Sequence, residues 1–411
     1  MKIRKLESFL LSYPFPEPLR LPYFGGIRTI LKRDAMLIRV TLDNGLVGYG
    51  PGAAGEQAQT IVREVIAPFL EGRSLADPDA LRVLFLHSAD AESHAARVFG
   101  AVEMALYDAL GKTLGVPVSE LLGGRERDRI RLYASAGMYG TPEAYAAEAE
   151  GLAQRGFRAY KMRPALGPEQ DIEAVRQVRE RVGPGVELMV DAHSWWRMGD
   201  RSYTFDTVRE VATAMAEYDV TWLEEPLPPH DHAGYRRLRE LDLLPLASGE
   251  HEHSLAGFED LIYGQCVDYV QMDVTCQGGY ATARQLFQQI ARENLCFAFH
   301  SWGTALEVIA AAQMGICWPE NVVQYLEYPC YAADSQTGMY PFPLAADILQ
   351  DALKIQEGDL IVSREPGLGV HVNEEVIRQY PWIPGPWSYF EIESPAQKLA
   401  VEADHSIAWT A

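Results

Sequence analysis

Residues 187–193 read Glu-Leu-Met-Val-Asp-Ala-His, and residues 221–226 read Thr-Trp-Leu-Glu-Glu-Pro. Each is a short apolar run that ends in acid. A carboxylate placed there is costly to bury unless something pairs with it. Working outward, comparable runs lie at Ile130–Ser135, Ala159–Arg163, Pro245–Glu250, Tyr269–Val274, Cys296–Trp302 and Val323–Pro329. The eight runs recur at roughly 30-residue intervals with amphipathic helical stretches between them, the length of one βα unit. The alternation predicts an α/β protein built on a TIM-type (β/α)8 barrel. A Rossmann sheet is the competing arrangement, but no G-x-G-x-x-G follows an early strand run.

The flanks read differently. Before the barrel, Ala35–Leu42 and Leu46–Tyr49 are strand-like, joined by the turn Asp43-Asn44-Gly45, and helical stretches follow over Glu56–Leu70 and Ala96–Leu114. The block ends at Leu121-Leu122-Gly123-Gly124-Arg125. After the barrel the alternation stops, and a Trp- and Pro-rich tail follows. The expected organisation is an α+β capping domain over 1–125, a catalytic barrel over 126–345, and a segment over 346–411 that returns to the capping domain.

Composition bounds the function. The 411 residues are 48% apolar, ample for a large core, and the formal net charge is −21. Such a charge repels nucleic acid and anionic membranes, and it disfavours an anionic substrate unless something positive receives it. No run approaches the ~20 apolar residues of a membrane span. The apolar stretch Phe9–Leu11 is too short for a secretory signal core. The five cysteines (Cys266, Cys276, Cys296, Cys317 and Cys330) include no C-x-x-C pair and read as free thiols in a reducing cytoplasm.

The ionisable residues gather at the ends of the barrel runs: Lys161 and Arg163, Asp191 and His193, Glu224, Glu250, Asp273, His300, and Glu327. In a TIM-type barrel those ends form the active site. Asp191, Glu224 and Glu250, on three consecutive strands, would converge as an all-oxygen site, the donor set that Mg2+ prefers.

At this point the pattern Lys161-x-Arg163, Asp191, Glu224 in Glu-Glu-Pro, Glu250 in Gly-Glu, Asp273, His300 and Glu327 resembles the enolase superfamily, most closely its mandelate racemase-like branch. The resemblance covers nearly the whole chain. It implies a (β/α)7β barrel with an N-terminal cap, Mg2+ on Asp191, Glu224 and Glu250, and a catalytic Asp273–His300 pair. It also implies that Glu327 hydrogen-bonds the substrate carboxylate, and that the chain forms a homo-oligomer. The chemistry is consistent with those roles. Removing a proton next to a carboxylate creates a second negative charge, which a divalent metal stabilises, and a carboxylate behind a histidine fixes its tautomer.

Two positions depart from the racemase pattern. Arg163 stands where mandelate racemase has a second lysine, and a permanently protonated arginine is no routine base. Lys161 then reads as a cation for the carboxylate and Arg163 as a fork for a substrate oxygen. His193 stands where the branch often has asparagine, and either donates a proton to a leaving hydroxyl or holds a hydroxyl. Trp195, Trp196, His251, Tyr23 and Arg28 are candidate substrate contacts, the last two flanking the Gly-rich run Phe24-Gly25-Gly26-Ile27. The expected activity is that of a lyase: magnesium-dependent dehydration of a sugar acid to a 2-keto-3-deoxy acid. Racemisation or epimerisation of a 2-hydroxy acid is the alternative, and a barrel that binds an acidic metabolite without turnover is a third.

Overall fold

The computed structural model describes residues 1–23, 26–194, 203–332, 339–391 and 398–401. Eight parallel strands form the barrel: β4 (Arg129–Ser135), β5 (Ala159–Met162), β6 (Glu187–Asp191), β7 (Val220–Glu224), β8 (Leu246–Ser248), β9 (Tyr269–Met272), β10 (Cys296–Phe299) and β11 (Val323–Pro329). They pair in sequence order, and β11 closes the ring on β4 through Tyr325–Arg131 to Pro329–Ser135. A helix follows each of the first seven strands, from Pro142–Gln154 after β4 to Ala305–Gly315 after β10. Every barrel run anticipated from the sequence is a strand. Several stop short of their expected ends, β6 at Asp191 instead of His193 and β10 at Phe299 instead of Trp302. The reason is local: beyond those points the backbone leaves the ladder, and His193 adopts φ +38°.

The second sheet is antiparallel and draws on both ends of the chain. Strands β1 (Ile3–Tyr23), β2 (Gly26–Leu42) and β3 (Val47–Gly52) are joined by β14 (Ser388–Glu391) and β15 (Lys398–Val401), in the order β1-β2-β14-β15 with β3 also on β2. Ser388 pairs with Ile30 and Glu391 with Ile27. The short strands β12 (Ile355–Gln356) and β13 (Asp359–Ile361) extend the barrel sheet at the start of β4. Gly45, at φ +86°, makes the turn between β2 and β3 that Asp43-Asn44-Gly45 announces.

The helix Ser93–Leu114 ties this sheet to the barrel by packing on the helix Gly279–Glu293. The approach is too close for a side chain: a Cβ on Gly100 would stand 2.2 Å from the carbonyl carbon of Gly278. A compact charge group sits in the same region. Arg82 Nη1 lies 3.3 Å from Glu103 Oε2, Arg284 Nη2 lies 2.8 Å from Asp79 Oδ2, and the Tyr107 hydroxyl donates to Asp79 Oδ1 at 2.8 Å. No helix among the described residues is long and apolar enough to cross a membrane.

Candidate active site

A ring of side chains crosses the barrel interior: Tyr133, Ala159, Met189, Trp222, Ala247, Ala298 and Tyr325, with Tyr269 packed against it. Each comes from a different strand. Side chains alternate along a strand, so counting on two residues reaches the next inward position. That step gives Ser135, Lys161, Asp191, Glu224, Gly249, Gln271, His300 and Glu327. The barrel therefore changes from aromatic and aliphatic to polar in one pleat, at the C-terminal ends of the strands.

The charges there interlock. Lys161, fully buried, places Nζ 2.5 Å from Glu224 Oε1, 3.1 Å from Glu327 Oε1 and 3.7 Å from Asp191 Oδ2. Arg163 reaches across with Nε 2.9 Å from Asp191 Oδ2 and Nη2 3.1 Å from Glu327 Oε1, and its guanidinium carbon lies 3.8 Å from the Trp302 ring centroid. The Trp222 indole donates to Glu224 Oε2 at 2.9 Å, and the Ser301 amide donates to Glu327 Oε2 at 3.0 Å. His300 Nδ1 is 3.1 Å from Asp273 Oδ2, while its Nε2 faces Glu250 Oε2 at 3.3 Å and Glu327 Oε2 at 3.8 Å. Asp273 is itself held by the Thr275 amide, which donates to Oδ1 at 2.8 Å. His193 Nδ1 contacts Asp191 Oδ1, and its Nε2 stands 3.5 Å from Glu225 Oε2 and 3.6 Å from Glu250 Oε1.

Burial and charge set the protonation. For Lys161, burial works against the ammonium, but Glu224, Glu327 and Asp191 outweigh it and raise its pKa further, so it carries a fixed charge. Burial would raise Glu327, yet Lys161, His300 and Arg163 hold it at about 2. Asp191 is likewise driven far below the carboxylate range, against burial, by His193, Lys161 and Arg163. Glu224 goes the other way: burial, reinforced by Asp191, Glu250 and Glu327 and opposed by Lys161, pushes it up to about 7. Burial alone would lower His300, but Glu250, Glu327 and Asp273 raise it to about 10.

This imbalance bears on a metal. Among the described residues, six acids, Asp191, Glu224, Glu225, Glu250, Asp273 and Glu327, share the fixed cations Lys161 and Arg163 and the imidazoles of His193, His251 and His300. Buried carboxylates in such excess need further positive charge, and an all-oxygen set fits a hard divalent cation. Among the described residues, the donor atoms of His193, Glu225, Glu250 and His251 all fall within 4.8 Å of one another. Of the three ligands expected from the sequence, this group contains only Glu250. Asp191 and Glu224 stand beside it, turned toward Arg163, His193, Lys161 and Trp222.

Glu225 was not singled out in the sequence. The signal was there, as the second acid of Glu-Glu-Pro. Its backbone, at φ +43°, leaves the strand in the left-handed region, and its Oε1 lies 2.7 Å from His251 Nδ1. Non-glycine residues held in that conformation are concentrated at functional sites, and His193 shares it. A cleft opens above the mouth, lined by Arg163, His193, Glu250, His251 and His300 from the barrel and by Tyr23, Arg28 and Trp387 from the capping sheet and the returning segment. Tyr23, Arg28 and His251 thus line the cleft. Trp302, Arg97 and Glu307 also line it and were not foreseen. Trp195 and Trp196 lie outside the described residues.

Comparison with known proteins places the chain. The family models described as "Enolase C-terminal domain-like" and "Mandelate racemase / muconate lactonizing enzyme, N-terminal domain" match residues 144–376 and 12–123. The D-galactarolactone cycloisomerase of Agrobacterium fabrum is 26% identical over 388 residues, covering 92% of this chain and 99% of that protein. The D-xylonate dehydratase of Haloferax volcanii is 28% identical over 368 residues, covering 84% and 85%. The crystal structure of an enolase superfamily member from Polaromonas sp. JS666, 30% identical, superposes with a TM-score of 0.80 and covers 94% of this chain and 99% of that one. The chain belongs to the enolase superfamily, within its mandelate racemase/muconate lactonizing enzyme group.

Proposed function

We propose that the site removes the proton α to the carboxylate of a sugar acid and dehydrates the resulting enediolate to a 2-keto-3-deoxy acid. The observation that carries this reading is asymmetry in bases. One side of the mouth presents the His300 imidazole, backed by Asp273 at 3.1 Å. The other presents Lys161 and Arg163, each locked to carboxylates; His300, raised by Glu250 and Glu327, becomes the free base once a cation on Glu250 offsets that charge. A racemase needs a proton acceptor on each face of the α-carbon. Dehydration needs one base and an acid for the departing hydroxyl.

In this reading His300 Nε2 takes the α-proton while Asp273 steadies Nδ1. Lys161 and Arg163 hold the substrate carboxylate, and the ionised Glu327, paired with both, fixes their positions. Asp191, Glu224 and Glu250 would hold Mg2+, which would supply the positive charge that an enediolate demands. His193, next to Asp191, gives its proton to the 3-hydroxyl, or His300 returns the one it took. The α-C–H and the C3–O bonds break, water leaves, and the enol tautomerises to the ketone. The similarity to a D-xylonate dehydratase supports the reaction type, and that to a D-galactarolactone cycloisomerase supports a sugar-derived acid as substrate. The test is a panel of sugar acids incubated with magnesium and assayed for 2-keto-3-deoxy product. Product from at least one acid, abolished by a chelator, is expected. Keto acid formation that survives exhaustive chelation would contradict the metal's role.

A further inference from the structure

Arg28 stands out among the buried cations. It lies on β2 in the capping sheet, is 7% exposed, and lines the same cleft as Arg163, His193 and His300. Its Nε donates to Ser388 Oγ at 3.2 Å, and its guanidinium is ringed by Trp387, Tyr23 and Phe390 at 4.2, 5.0 and 5.0 Å. Among the described residues it forms no ion pair with a carboxylate, whereas Arg20, Arg39 and Arg163 all do. A second arginine, Arg33, is buried nearby against Tyr340 and Trp387 at 4.4 and 4.7 Å, and among the described residues its Nη2 has no hydrogen-bond partner.

Aromatic faces return about 0.5–2 kcal/mol to a cation. Desolvating that cation costs several kcal/mol. The difference is left open on the cleft side. Burial and the neighbouring charge of Arg163 both work against the Arg28 cation and bring its pKa down to about 10, with Tyr23 opposing. If Arg28 served only to fasten β2 to Ser388, a neutral amide would do so without that cost.

We propose that Arg28 receives a second anionic group of the substrate, so that the site is built for a sugar acid charged at both ends. The inference rests on the reading of the barrel mouth as a sugar-acid site. The reacting carboxylate is held by the barrel and the distal anion by the cap. On a chain of net charge −21 a dianion needs such a local receptor. A terminal carboxylate and a terminal phosphate share the chemistry.

The test uses the magnesium-loaded enzyme and matched sets of sugar acids of one configuration: the acid with one carboxylate, the diacid, and the acid phosphorylated at its far end. We expect kcat/KM to favour a dianion by at least ~10-fold. Arg28→Gln should raise KM for the dianion by ~10–100-fold, the worth of a hydrogen bond to a charged group. The monoanion should change less than about threefold. The preferred dianion names the group that Arg28 holds. Arg28→Lys, which keeps the charge and loses the fork, should retain part of the preference and serves if the glutamine variant does not fold. Preference for the monoanion, or an equal loss for both classes in Arg28→Gln, overturns the proposal. Calorimetric binding separates it from the reaction. If no acid turns over but dianions bind in an Arg28-dependent way, the dehydratase reading falls and the subsite stands. If dianions bind no better than monoanions, the subsite falls even where turnover is observed.

Discussion

Two groups of buried charge in this molecule are built to opposite rules. Where the capping helix meets the barrel, two acids, Asp79 and Glu103, face two arginines, Arg82 and Arg284. The signs cancel, and the Tyr107 hydroxyl joins Arg284 in donating to Asp79 Oδ1. At the barrel mouth, among the described residues, six acids share two fixed cations and three histidines, and across the cleft Arg28 forms no ion pair with an acid. A balanced group holds two pieces of protein together. An unbalanced one, even with His193, His251 and His300 paired to its acids, offers charge that a ligand can take up.

Mutations separate the two rules. The largest effect is expected at the mouth. Asp191→Asn should drop turnover below about 10⁻³ of native and weaken magnesium binding measured by calorimetry. His300→Asn should follow, with exchange of the substrate α-proton falling ~10²–10⁴-fold and magnesium affinity largely kept. Arg163→Lys replaces a two-point clamp on Asp191 and Glu327 by a point charge, and should raise KM by ~10-fold with a smaller change in kcat.

At the interface the expected effects are on stability alone. Burial, opposed by Arg82, pushes Glu103 up to about 7. A folded-state value above the usual one near 4.5 means stability fully present below that value and lost as pH rises through about 7. Denaturant unfolding should therefore show a decline across this window, of at most about 3 kcal/mol, that Glu103→Gln removes. Asp79→Asn, at a half-exposed pair, should cost about 1 kcal/mol and leave kcat unchanged. Loss of activity in Asp79→Asn at full stability would erase the distinction between the two groups.

The sequence makes the barrel legible because short apolar runs recur eight times, seven of them with ionisable residues at their ends. It makes the mouth legible because those ends must converge. The exact strand limits were not, since His193 and Glu225 leave their strands through left-handed backbone that residue identity does not announce. Glu225 was hidden beside Glu224 for the same reason: alternation predicts that neighbours diverge, and the φ of +43° brings the second acid back to the mouth. Arg28 could be named from the sequence. That no described acid pairs with it could not, because that depends on what β14 and the returning segment place around it, more than 350 residues downstream. The closeness of Gly100 to Gly278 is likewise a matter of packing between distant helices.

The central claim is that one base, on one face, drives an elimination. Incubating the enzyme with magnesium and a responsive sugar acid in deuterated water, and following the carbon-bound protons by NMR, tests it most directly. We expect 2-keto-3-deoxy acid to appear with deuterium at C3, while unreacted substrate keeps its configuration at C2. Accumulation of the C2 epimer without keto acid would contradict it, because a second base would then have to work on the face that Lys161 and Arg163 occupy.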